Sequence, residues 1–421
     1  MQAEKIDAII FGATGFTGQI VVENAIEIFN NFKWGIAGRN ELKMKELLEK
    51  LSKRTQKDLS QIPIVVADVG DQKSIENMAN KCKIVLNCCG PYHLYGEIVV
   101  KACVEAGTHH VDISGEPQYI AAMQLKYHDL AESKGSYIIS NCALESVPTE
   151  LGVLYAENNF PGIVNSVELY GAVVPNYQDS TSKAILNSST WDSAIYSMQY
   201  AREIMNLESQ LNKEKLPRLR PKLWMKLYPQ KPEGSNKYFA SFPITDQPVV
   251  ERSQRLFFVH ENKRPIQVQM YLGFASLFVA IMFPLFLLMI ILMAQCGCTR
   301  KLLFKYPHIF TKGAISHQGP TEANRKVAEM IYIFKAKGWQ TGTPESQPPN
   351  KQVIVRLTGK DPCYGLTSTC LLMCAKVILE EHQKMPGNGG IFPPGFAFAK
   401  TQLLEKIGSY KSGLKFEVLK K

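Results

Sequence analysis

The stretch that decides the fold is Asp7-Ala8-Ile9-Ile10-Phe11-Gly12-Ala13-Thr14-Gly15-Phe16-Thr17-Gly18. A short apolar run reads as a buried strand, three glycines follow at intervals of three, and residues 17–29 read as a helix. A chain that turns this tightly from strand to helix must pass close to itself and, at the helix start, close to a bound pyrophosphate. Positions without Cβ permit both, and the first helical amides face the phosphate charge. Further strand-like runs lie at residues 34–37, 64–67, 84–87, 110–112 and 137–140, separated by segments long enough for crossover helices. Together they predict an α/β, Rossmann-type doubly wound parallel sheet over residues 1–150.

Such a sheet binds its ligand along the carboxyl edge, so the residues ending each strand are the candidates. At the end of the second strand, where an NAD site carries an acidic residue for the ribose 2′-hydroxyl, this chain has Arg39 in Ala37-Gly38-Arg39. A guanidinium suits a 2′-phosphate through charge-assisted, bidentate bonds, which predicts NADP as the cofactor. Asp68, after the third strand, is placed to meet the adenine or to cap a helix. The fourth strand runs into Asn87-Cys88-Cys89-Gly90-Pro91-Tyr92, where Gly90 and Pro91 shape a turn beside the nicotinamide. Tyr92, His93 and Glu116 are the titratable groups at this edge, and Tyr92 with Glu116 is the expected pair for proton transfer. Each has a structural alternative, in packing or in contact with water. Cys88 and Cys89 read as small strand residues, with no His and Asn pattern to make a nucleophile.

These residues resemble the saccharopine dehydrogenase-like oxidoreductases across nearly the whole chain. The likeness rests on the glycine motif, on Ala37-Gly38-Arg39, on Val85-Leu86-Asn87-Cys88-Cys89-Gly90-Pro91-Tyr92, on Asp112-Ile113-Ser114-Gly115-Glu116 and on Gln318-Gly319-Pro320-Thr321. The resemblance implies an NADP site formed by Gly12, Thr14, Gly15, Phe16, Thr17 and Gly18, an inserted substrate domain, and association with lipid droplets or other membranes. In one place the chain departs from the pattern. Relatives carry Gly, an aromatic or similar residue, Asp, Ser, a variable residue and Pro after the sixth strand, whereas this chain reads Ala143-Leu144-Glu145-Ser146-Val147-Pro148. Losing the glycine and lengthening the acid alters a turn at the presumed substrate site. A catalytically silent NADP-binding protein is therefore the alternative to an oxidoreductase. Saccharopine itself is not an expected substrate, because no arginine cluster for a tricarboxylate is evident.

The 421 residues exceed what one core usually supports. Beyond Pro148 longer strand-like stretches at 166–174, 237–244 and 249–259, a helical segment at 321–337, a strand at 352–357 and a helix within 365–382 predict an α+β substrate and dimerisation domain from 151–264 and 300–360. A homodimer is the assembly that this second domain suggests. Residues 361–421 are expected to pack back on the first domain. A charged share of 20% and a hydrophobic share of 45% exclude disorder and a polytopic bundle. The ten cysteines show no zinc spacing and no metal is expected. The formal charge of +10 favours anionic partners, and no zinc finger or RNP motif points to nucleic acid.

Residues 265–299 contain no Asp, Glu, Lys or Arg, and within them 271–293 are apolar enough to enter a membrane. Lys263 and Arg264 precede the stretch, and Arg300, Lys301 and Lys305 follow it, so both ends read as cytosolic. Pro284 near the middle favours a break and a re-entrant or monotopic hairpin over a single span, with a buried core helix as the plainer alternative. A one-sided anchor suits the cytosolic face of a lipid droplet or of the endoplasmic reticulum, and a lipophilic substrate. Residues 213–231, with seven Lys or Arg against Glu214 and with Leu216, Leu219, Leu223, Trp224, Leu227 and Tyr228 interleaved, suit anionic headgroups or a solvated loop. Cys296 and Cys298 at the interface are candidate acylation sites.

Overall fold

A computed structural model describes residues 5–242, 246–410 and 413–421. The first 143 residues supply β1 (Ile6–Phe11), α1 (Phe16–Ile28), β2 (Trp34–Gly38), α2 (Glu41–Thr55), β3 (Ile64–Val66), α3 (Gln72–Asn80), β4 (Cys82–Asn87), α4 (Tyr92–Glu105), β5 (His109–Asp112), α5 (Pro117–Ser133) and β6 (Tyr137–Ile139). The six strands are parallel, in the order β6-β5-β4-β1-β2-β3. Strand order reverses between β1 and β4, which is the switch point where a doubly wound sheet takes its ligand. Ile9, Ile36, Ile84, Val85 and Val111 are buried, as strands covered on both faces require.

The chain continues through α6 (Val147–Asn158), β7 (Gly162–Val174), β8 (Leu186–Asn187), α7 (Ser188–Gln199), α8 (Ala201–Leu211), β9 (Tyr238–Ser241), α9 (Asp246–Glu261), β10 (Gln267–Phe274), α10 (Leu277–Gln295), α11 (Gly297–Lys305), α12 (Pro307–Phe310), β11 (Ile315–Ser316), α13 (Glu322–Val327), β12 (Glu329–Gln340) and β13 (Lys351–Lys360). Then come α14 (Thr367–Glu381), β14 (Gly390–Ile391) and, at the end, β15 (Lys415–Lys420). Two compact units result. The first joins the Rossmann-type core to Arg202–Leu211 and Thr367–Ile407; the second comprises Leu144–Ala201, Asn212–Leu366 and Gly408–Lys421. In the first, α14 is almost wholly buried and β14 extends the parallel sheet beside β6. In the second, a six-stranded mixed sheet runs β15-β13-β12-β7-β10-β9.

Several elements of the second unit differ from the sequence expectation, each for a reason of packing. Residues 249–259 lie in helix α9, because Val249, Val250, Ser253, Gln254 and Phe257 recur at helical spacing and form its buried face. Most of the expected helix at 321–337 is strand β12, paired on one side with β7 and on the other with β13. Two ladders outweigh helical propensity there. The first unit ends at Ala143 and not near 150, since α6 packs on the second sheet. Gly152 lies so close to the Phe334 ring that an added Cβ would stand 2.0 Å from it. The last residues also leave the first unit: β15 pairs with β13, and Phe416 meets the Tyr155 ring at 5.0 Å.

The uncharged stretch is divided. Gln267–Phe274 is strand β10, parallel to β7, with Tyr271 buried in the sheet. Only α10 is left as anchor material, and it runs unbroken through Pro284. One missing amide removes a single hydrogen bond, which is too little to reverse a helix of 19 residues, so the hairpin at Pro284 does not form. β10 precedes α10 and β12 follows it, and both pair with β7, so the chain leaves for the α10–α13 segment from one sheet and comes back to that same sheet.

A group of acids lies inside the second unit. Asp246 and Glu150 are buried, Ser253 donates to Glu150 at 2.6 Å, and Glu145 stands at the head of α6. Burial pushes the Glu145 carboxyl up to about 7, and burial with the nearby Glu145 and Glu150 raises Asp246 well above the usual range. Carboxyls raised on folding favour the native state while protonated, a contribution complete at acid pH and lost as pH rises through about 7. Thermal unfolding should therefore fall by a few degrees between about pH 5 and about pH 8, with a shallower slope in Glu145→Gln.

Candidate nucleotide-binding site

The site is built on the turn between β1 and α1. Gly12 adopts φ +78°, and its amide donates to Ala37 O at 3.0 Å, tying the turn to β2. Gly15 N donates to Gly12 O at 3.0 Å and closes the turn, after which Gly15 serves as N-cap of α1 without any side-chain cap. An added Cβ at Gly18 would lie 2.1 Å from Gly12 O, and one at Gly12 would lie 2.9 Å from the Cys88 carbonyl carbon. The glycines thus bring α1 onto the turn and the turn onto β4. The result is a strip of backbone with the positive end of a helix dipole behind it. Thr14, Phe16 and Thr17 lie on this same turn and first helical residues.

Arg39 is exposed at the end of β2 and has no ion-pair partner among the described residues. Asp68 sits past β3, where Oδ1 accepts from Gly70 N at 2.9 Å and the cap of α3 is Asp71. Both charges act on the Cys89 thiol, which places them around the carboxyl ends of β2, β3 and β4. Burial pushes the Cys88 and Cys89 thiols up, so neither is a thiolate at neutral pH. The peptide between Gly90 and Pro91 is cis.

Tyr92 and Glu116, expected to move protons, have other work in this geometry. Tyr92 is buried and its hydroxyl donates to Asn87 O at 2.9 Å; burial, with Asp112 nearby, raises the phenol well above its ordinary range. Glu116 is buried and accepts from Tyr92 N at 3.0 Å, His93 N at 2.9 Å and His93 Nδ1 at 2.7 Å. Its carboxylate caps α4 from outside, at a helix start where the N-cap is Pro91.

Two organising residues were not singled out from the sequence. Asp112 takes Ser114 N at 2.9 Å and Asn141 N at 3.1 Å on Oδ1, and Ser140 Oγ at 2.8 Å and Tyr119 OH at 3.1 Å on Oδ2. Burial still pushes this carboxyl up to about 6. Asn87 holds Cys89 N at 2.9 Å through Oδ1, while its buried Nδ2 has no hydrogen-bond partner among the described residues. Their signal was a polar residue closing an apolar buried strand. The motif Gln318-Gly319-Pro320-Thr321 belongs to the second unit, where Gly319 takes φ +72° and the Thr321 side chain caps α13.

A Cβ-free phosphate cradle and an unpaired arginine at the ribose end of the sheet fit NADP. They define a nucleotide-binding oxidoreductase class. A family model described as the saccharopine dehydrogenase NADP binding domain matches residues 8–139, and NADP is the cofactor. The chain is 33% identical over 426 residues to saccharopine dehydrogenase-like oxidoreductase from Homo sapiens, with 98% of this chain and 96% of that one covered. It is 32% identical to lipid droplet localized protein from Caenorhabditis elegans, over 96% of this chain and 97% of that one. The apo saccharopine dehydrogenase (L-Glu forming) from Saccharomyces cerevisiae shares the fold, at a TM-score of 0.57 and 12% identity over 98% of this chain and 100% of that one. The chain belongs to the saccharopine dehydrogenase-like oxidoreductase family.

Arg39→Ala should weaken NADPH binding by about 10- to 100-fold and leave NADH binding unchanged in a calorimetric titration, the loss of a charged hydrogen-bonding pair. Glu116→Ala should lower the unfolding free energy of the first unit by about 2–4 kcal/mol, measured by denaturant titration, because three donors lose their acceptor.

Proposed function

We propose that this protein transfers hydride between NADP(H) and a lipophilic carbonyl, imine or enoyl group while attached to a lipid droplet or to the cytosolic face of the endoplasmic reticulum. The observation that carries the reading is α10. Phe278, Ile281, Leu285, Leu288 and Leu292 recur at intervals of three and four along its exposed side, with Phe278 71% and Leu292 62% exposed. The opposite side is held by Ile290 and Ala294 in a cluster with Trp191, Ile195 and Leu303. A helix apolar all round, with one stripe packed and the rest bare, calls for a nonaqueous neighbour. At 1.5 Å per residue it extends roughly 28 Å, and because the chain leaves one sheet at β10 and rejoins it at β12 it suits a monolayer entered from one side. The name of the nematode relative supports a droplet.

NADP supplies the hydride chemistry when bound. Gly12, Thr14, Gly15, Phe16, Thr17 and Gly18 form its phosphate cradle, Arg39 takes the 2′-phosphate, Asp68 lies on the adenosine side, and Gly90 and Pro91 shape the wall at β4. Tyr92 and Glu116 act as positioning residues, holding the β4–α4 turn through backbone groups. A second reading, an NADP-binding protein without turnover, is favoured by the engagement of both of these groups.

Detergent-solubilised protein should oxidise NADPH when given a long-chain aldehyde, ketimine or enoyl ester, followed by loss of nicotinamide absorbance. Gly15→Asp, which puts a carboxylate in the phosphate cradle, should abolish that signal together with NADPH binding. Tight NADPH binding without oxidation across a broad lipid extract would establish the second reading.

A further inference from the structure

We infer that residues 213–231 form a docking strip for anionic phospholipid headgroups. This rests on the lipid attachment proposed for α10 and names the surface chemistry that the attached protein selects. The strip is fastened from beneath. Pro221 O accepts from Asn165 Nδ2 at 3.1 Å and from Gln267 Nε2 at 2.9 Å, Leu223 N donates to Gln267 Oε1 at 2.9 Å, and Lys226 N donates to the Tyr271 hydroxyl at 3.3 Å. Lys226 turns inward to pair with the buried Glu168, and Gln230 exchanges backbone bonds with Phe239 at 2.9 and 2.8 Å.

An ordinary surface strap turns its apolar side chains toward the sheet it crosses. This one half-buries Leu216, Leu219 and Leu223 but turns a lysine inward and its largest apolar groups outward: Trp224 is 70% exposed and Leu227 81%, with Tyr228 beside them. Lys213, Lys215, Arg218, Arg220, Lys222 and Lys231 are also exposed, and none has an ion-pair partner among the described residues. Lys222 lies over the Trp224 ring at 4.2 Å. Outward Trp and Tyr among unpaired cations are the composition of a membrane interface, where the rings settle at headgroup level and the charges meet acidic lipid. Strand β10 connects the two lipid contacts, holding the strip by Gln267 and Tyr271 and leading from Phe274 into α10. Hydrocarbon contact through α10 is indifferent to headgroup charge, so the strip would supply the selectivity.

The test uses the full chain and flotation on two vesicle types, phosphatidylcholine alone and phosphatidylcholine with phosphatidylserine. Wild type should bind both, the acidic vesicles about tenfold or more tightly, with that excess removed by salt. Replacing Lys213, Lys215, Arg218 and Arg220 with Gln should erase the excess while leaving binding to neutral vesicles and to NADPH intact. Quenching by brominated acidic lipid should fall in Trp224→Phe. Leu285→Lys with Leu288→Lys should release the protein from neutral vesicles; failure of that arm alone refutes the α10 attachment. The headgroup inference is overturned if the four-Gln variant keeps its preference for acidic vesicles, if Trp224→Phe leaves quenching unchanged, or if single-stranded RNA displaces the protein from acidic vesicles at equal charge concentration.

Discussion

Everything at the nucleotide site depends on one close approach, that of Gly18 to the Gly12 carbonyl. A hydrogen in place of a side chain lets α1 start immediately behind β1, and an added Cβ would stand 2.1 Å from that oxygen. Were the helix pushed out, its first amides would no longer line the turn, and the contact of Gly12 with Cys88, just past β4, would be lost with it. The same constraint therefore places the phosphate cradle and the neighbouring wall. Arg39 follows from it too, since the Gly12 amide is bonded to Ala37, two residues before the arginine.

Around that edge, buried acids do the holding. Asp112 joins the ends of β5 and β6 through four donors, and Glu116 caps α4 across the turn. Neither is arranged as a free proton carrier. A buried carboxylate surrounded by donors orders the backbone that surrounds it, and such order is what a bound nicotinamide ring needs from a wall.

The second unit solves a different problem. Its sheet inserts β10 and β12 on either side of β7 and sends α10 out between them in sequence. The chain leaves the sheet for α10 and rejoins it at β12, while α10 itself runs straight through Pro284.

The first unit was largely legible from residues because its signals are local. Continuous apolar runs give strands buried on both faces, and glycines at fixed spacing give the turn. In the second unit the controlling contacts are distant in sequence. Residues 329–337 were read as helical, yet β12 is a strand because β7 and β13, one far upstream and one downstream, flank it. Tyr271 belongs to the uncharged stretch, yet its strand lies inside a sheet with its ring stacked on Tyr170 at 5.1 Å. Tyr92 and Glu116 lie past β4 and β5, where their partners are the Asn87 carbonyl, the amides of Tyr92 and His93 and the His93 ring, an engagement that no residue pattern displays. By itself the sequence determined the dinucleotide fold and the existence of an apolar helix, since each rests on side-chain identity at short range. Only the tertiary structure decided which face of that helix is bare, how the chain around it rejoins one sheet and which charges are already satisfied, because those are matters of what lies opposite.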